Sequence, residues 1–177
     1  VSKILRYAMN VLAVRDHSET ELRRKIAAFL YSPSEENGDD SIAVTQEIEQ
    51  AIAYCDEYGW LDDKRFAQRY ISSRSRKGYG AQRIRSELSQ KGVDKLTQSE
   101  ALRCSGVDWY QLAQQAAERK FGRPLPAEWK EKAKVQRYLL YRGFRMMKFS
   151  LYTRIFQTEC IRDFTSLLRK FILFPLF

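Results

Sequence analysis

Arg65, Arg69, Ser72 and Arg76 recur at steps of four, three and four residues, which on a helix puts three guanidiniums on one face. A planar fork of donors repeated along a rigid rod can grip successive phosphates or acidic side chains. Residues 62–92 hold nine Lys or Arg (Lys64, Arg65, Arg69, Arg74, Arg76, Lys77, Arg83, Arg85 and Lys91) against three acids (Asp62, Asp63 and Glu87). That is a local +6 in a chain of net charge +9. Such concentration points toward a polyanion or an acidic protein groove. A solvated helix surface is the competing reading; it is weakened because acids are nearly absent from this face after Asp63.

Arg74-Ser75-Arg76-Lys77-Gly78-Tyr79-Gly80 places an aromatic ring between two glycines and beside cations. Tyr79 could stack on a nucleobase, or it could pack beneath the turn while the glycines relax the backbone; the sequence leaves both open. Arg83 and Arg85 flank Ile84 and extend the basic patch onto a following helix. Arg137 and Arg142 are secondary candidates, and Trp60, Trp109 and Trp129 read as core or inter-repeat anchors.

Catalytic patterns are sparse. The single histidine, His17, cannot build a metal site of several imidazoles, and no GxxxxGK[ST] loop is present to cradle a nucleotide phosphate. Asp62-Asp63 is explained by helix capping more simply than by metal binding. The chain reads as a non-enzyme with no cofactor and no metal. Cys55, Cys104 and Cys160 are odd in number and widely spaced, which suits reduced thiols in a cytoplasmic protein. Residues 2–12 are interrupted by Lys3, Arg6 and Asn10, unlike a signal peptide, and no apolar run approaches membrane-spanning length.

Helical periodicity runs throughout, and the expected class is all-α. Ile4, Leu5, Ala8 and Leu12 mark a first helix; Leu22, Ile26, Phe29 and Leu30 a second, opened by the capping box Ser18…Glu21. Val44, Ile48, Ala51, Ile52 and Cys55 mark a third, stopped near Gly59. Asp62 or Asp63 caps a fourth whose stripe is Phe66, Tyr70 and Ile71, with Gly78 and Gly80 ending it at positive φ. A fifth has Ile84 and Leu88 inward and closes at Lys91-Gly92; a sixth covers about 96–104. A seventh carries Leu112, Ala113, Ala116 and Phe121, and an eighth Ala133, Leu139 and Leu140 before Gly143.

An internal repeat joins these elements. Ile84-Arg85-x-x-Leu88-x-x-Lys91-Gly92-Val93 matches Val135-Gln136-x-x-Leu139-x-x-Arg142-Gly143-Phe144 at an offset of 51, and Leu22-Arg23-x-x-Ile26 fits its start. Three stacked three-helix units are expected: 1–60 with an acidic loop at 31–42, 61–106, and 107–177. Residues 31–63 contain ten acids and no Lys or Arg, so an acidic first third precedes a basic middle.

The runs LAVRDHSETELRRKI (12–26), LDDKRFAQRYISSRSRKGYG with RIRSEL and KG (61–92), and KVQRYLLYRGF (134–144) resemble, in order, three motifs of the RecX family, bacterial regulators of the RecA recombinase. The resemblance implies an elongated, curved array of three such units, a monomer without a membrane role. It implies engagement of the RecA filament on single-stranded DNA, with double-stranded DNA a further possibility, and inhibition of ATP hydrolysis, strand exchange and filament growth. Contacts to RecA or DNA are expected from Arg65, Arg69, Arg74, Arg76, Lys77, Tyr79, Arg83 and Arg85. A plain DNA-binding protein of three-helix modules, acting without RecA, is the alternative. After Phe144 the sequence departs from the family pattern into a basic, aromatic tail. Its spacing (Leu151, Ile155, Cys160, Phe164, Leu168, Phe171) allows an amphipathic helix, and residues 171–177 would be an aggregation or membrane-surface liability.

Overall fold

Helix ends are set by short polar side chains reaching back to the first-turn amides. Ser2 caps α1 (Lys3–Val14) through Leu5 N–H, and Ser18 caps α2 (Glu19–Leu30) through Glu21 N–H. Asp62 caps α4 (Asp63–Arg76), Asp94 caps α6 (Lys95–Cys104) and Asp108 caps α7 (Trp109–Phe121). With α3 (Ser41–Glu57), α5 (Ala81–Gln90) and α8 (Trp129–Tyr141), eight helices and no strand are found among the described residues. The computed structural model describes residues 2–30 and 41–144; the acidic loop and the tail after Phe144 lie outside them.

The described residues divide into two compact units, one of 2–30, 41–77 and 84–106, the other of 78–83 and 107–144. In the first, α1 packs on α3 and α2 around Ile4, Ala8, Leu22, Ile26, Ala51, Ile52, Cys55 and Leu61, and α4 packs on α6 with Phe66, Ala67, Ile71, Ala101 and Leu102 buried. In the second, α7 packs on α8 around Ala113, Ala116, Ala117, Leu125, Val135, Leu139 and Phe144.

The 51-residue offset has a structural counterpart. After α5, Gly92 N–H donates to Ser89 O and Val93 N–H to Leu88 O; after α8, Gly143 N–H donates to Leu140 O and Phe144 N–H to Leu139 O. Both are Schellman turns with glycine in the left-handed region, φ 80° and 87°. In each, the residue after the glycine is buried together with the third residue from the helix end.

Several expectations need correction. Gly78 ends α4 at φ 76°, but Gly80 does not adopt positive φ. Gly80 is required because any Cβ there would overlap the Gly143 carbonyl, so the constraint is close backbone approach rather than handedness. Leu140 is 53% and Trp129 74% exposed, neither a core anchor, because the buried stripe of α8 runs through Val135 and Leu139. Trp60 is partly exposed beside Tyr54 and Tyr58, with ring centroids 5.8 and 5.7 Å away.

Candidate binding surface

The first unit positions its cations by giving most of them a partner. Arg65 donates to Gly59 O (3.0 Å) and Trp60 O (3.1 Å), and its Nε lies 3.5 Å from Asp16. Arg69 reaches the same carboxylate at 2.5 Å. The acids missing from the α4 sequence therefore arrive from the α1–α2 connection. Arg65 and Asp16 also line a cavity of about 350 Å³ with Met9, Leu12, Ala13, Gly59 and Trp60. Arg74 points inward, donating to Glu87 (2.7 Å) and to Tyr70 Oη (3.1 Å), while Tyr70 Oη also donates to Glu87 (2.9 Å). Burial and Glu87 push the Tyr70 hydroxyl above its usual range.

Arg69 stays 69% exposed despite its pairing with Asp16, and the end of α4 is outward as well. Arg76 is exposed, its Nε donating to Ser72 O, and Lys77 is exposed at the C-cap. Cations at a helix C-terminus complement its dipole, so folding and display are compatible there. Arg85 is also exposed, 3.4 Å from Ser99 Oγ. Thus Arg65, Arg69 and Arg74 are paired with acids of this chain, Arg76 and Lys77 are exposed at the end of α4, and Arg85 is exposed on α5.

Tyr79 and Arg83 belong to the second unit. Tyr79 is half-buried, with the Arg83 guanidinium 4.7 Å and the Arg142 guanidinium 4.9 Å from its ring centroid. Arg83 also lies 5.3 Å from the Tyr141 ring, and Arg142 5.3 Å from that of Tyr138. Three tyrosines and two guanidiniums alternate along this ladder.

The sequence missed how helix starts are seated. Ser18 Oγ donates to Lys91 O (2.5 Å), and Thr20 packs on Gly92 at the turn after α5. In the second unit Gly80 N–H donates to Arg142 O (2.8 Å) and Gln82 N–H to Gly143 O (3.0 Å), at the turn after α8. Ser18 and Gly80 each precede an aligned buried residue (Leu22, Ile84) by four, so one junction occurs twice. Positive helix starts meet negative helix ends in both. At the first junction Glu21 pairs with Lys91 (2.5 Å) and Arg15 (3.2 Å) instead of completing its capping box. Burial alone would raise the Glu21 pKa, but these two cations hold the carboxyl below its usual value. Asp63 accepts from Glu19 N–H, and burial pushes its carboxyl up. Burial lowers the His17 pKa, with its Nδ1 2.9 Å from Arg15 O.

Among the described residues no group of three or more His, Cys, Asp and Glu is placed to hold a metal, and no helix is long and apolar enough to cross a membrane. The helices, caps and repeated turns define a protein of tandem three-helix domains. Residues 62–102 match the model of the second three-helix domain of RecX, and 107–146 that of the third. The chain is 63% identical over 148 residues to "Regulatory protein RecX" of Pectobacterium atrosepticum, covering 81% of this chain and 91% of that one. The protein of the same description from Serratia proteamaculans is 57% identical over 155 residues, covering 81% and 92%. The chain belongs to the RecX family. A crystal structure of regulatory protein RecX superposes with TM-score 0.69 over 88% of this chain and 70% of that one. RecX from Lactobacillus salivarius superposes with TM-score 0.67 over 88% and 94%. Both are 21% identical in sequence and share its fold.

Proposed function

We propose that this protein regulates homologous recombination by binding the RecA filament on single-stranded DNA, slowing ATP hydrolysis, strand exchange and filament growth. It acts by binding rather than catalysis, as a cytoplasmic monomer of three units with boundaries near 60 and 106. The observation that carries this reading is the exposure of Arg76 and Arg85 on the basic segment, beside cations that are paired with acids of this chain. Exposed arginines on a protein of net charge +9 suit a phosphate backbone or an acidic protein surface.

The test is RecA's DNA-dependent ATP hydrolysis, titrated with this protein. Inhibition well below one copy per RecA, before bare DNA is coated, supports a filament regulator. Inhibition only at DNA saturation would replace that reading with simple competition for DNA. Arg76→Glu with Lys77→Glu should raise the half-inhibiting concentration about tenfold or more, the scale of lost charge-assisted contacts.

A further inference from the structure

We infer that α8 carries a second contact for single-stranded nucleic acid, with Tyr141 as a base-stacking platform and Arg137 and Lys130 as phosphate contacts. This supplies the proposed regulator with a DNA contact on its second unit and can be tested without RecA.

Lys130, Lys134, Arg137 and Tyr141 follow one another at steps of four, three and four, and all four are exposed. Lys134 pairs with Glu131 at 2.6 Å; Lys130 and Arg137 have no ion-pair partner among the described residues. Tyr141 is 72% exposed, and the Arg83 guanidinium lies 5.3 Å from its ring. Arg83 also donates to the Tyr141 carbonyl (3.4 Å). A ring positioned by a guanidinium and otherwise open to solvent, one turn beyond an unpaired arginine, combines the parts a single strand needs. Every base has a π-face to stack, and its phosphate can reach the neighbouring cation.

The repeat separates this face from packing. At the 51-residue offset, Arg137, Leu140 and Tyr141 correspond to Ser86, Ser89 and Gln90 of α5, which are exposed and polar. This side of the repeated helix is left in solvent in both units, so core formation does not account for a cation, a leucine and a tyrosine there. The inward positions, by contrast, are apolar in both: Ile84 and Leu88, Val135 and Leu139.

The experiment is fluorescence-anisotropy binding of full-length protein to fluorescein-labelled oligo-dT and to an abasic strand of equal length, over a salt series. Tyr141→Ala should weaken oligo-dT binding about 5- to 150-fold, the loss expected for one base–aromatic stack. It should leave abasic binding unchanged, while Tyr141→Trp retains oligo-dT affinity. Arg137→Gln should weaken both strands and reduce the slope of log affinity against log salt by about 0.7. Circular dichroism and thermal melting verify folding of each variant. Oligo-dT binding by Tyr141→Ala within twofold of wild type overturns the inference, as does an equal loss on the abasic strand. Either result leaves RecA inhibition to be judged separately.

Discussion

Arg74 and Arg76 leave one helix two residues apart, Arg74 toward Tyr70 and Glu87 and Arg76 toward solvent. Arg74→Ala removes the guanidinium that donates to both a partly buried carboxylate and a phenol. It should lower unfolding free energy by about 1–3 kcal/mol in urea titrations, whereas Arg76→Ala should stay within about 0.5 kcal/mol. Glu21 makes a second residue-scale prediction. Its folded pKa lies below the unfolded one, so the unfolded state binds more protons in the acid range. Its contribution is present above the ordinary glutamate pKa and lost as pH falls through the folded value. Glu21→Gln should therefore flatten the acid limb of a stability–pH curve measured by urea unfolding from pH 3 to 7. Asp63, with a raised pKa, contributes with the opposite sign: its stabilisation is greatest below the unfolded pKa and is lost as pH rises through the folded value. At this scale the sequence revealed which residues were cations but not which were occupied. Asp16 lies 53 positions from Arg69, and no local pattern reports such a pairing.

The Schellman turns after α5 and α8 share a backbone but face different neighbours, which sets different tolerances. At Gly92 an added methyl would overlap the Thr20 side chain, whereas at Gly143 it would overlap the backbone and Cβ of Arg83. Both alanine variants also carry the positive-φ penalty of about 1 kcal/mol. Thr20→Ala should recover part of the stability lost by Gly92→Ala, as thermal unfolding of the double variant would reveal. Gly143→Ala has no comparable side-chain rescue and should be the more damaging; equal melting temperatures for the two would contradict this account. The glycines and the 51-residue offset were legible because positive φ and helix termination restrict residue choice. The role of Gly80 was not, since close approach of two backbones leaves only a glycine in the sequence, indistinguishable from one chosen for its φ.

Across the whole molecule, the all-α class followed from sustained 3.6-residue periodicity and well-placed caps, and the family's three-helix domains agree with it. Charge was less informative than it first looked. The +6 of residues 62–92 is partly offset by Asp16, Glu21 and Glu100 from outside the segment, so composition overstates the charge offered to a partner. Raising salt should weaken DNA binding with a slope set by the displayed cations, not by the formal +9; Arg69→Gln should leave that slope unchanged, in contrast to Arg76→Gln, in filter-binding assays.

The twice-built junction also constrains how such a chain can change. The four-residue spacings from Ser18 to Leu22 and from Gly80 to Ile84 tie a seated helix start to a buried anchor. Inserting or deleting one residue within either interval would rotate the anchor by about 100° off its face. Descent by duplication of whole units leaves both spacings intact, whereas slippage by single residues breaks them.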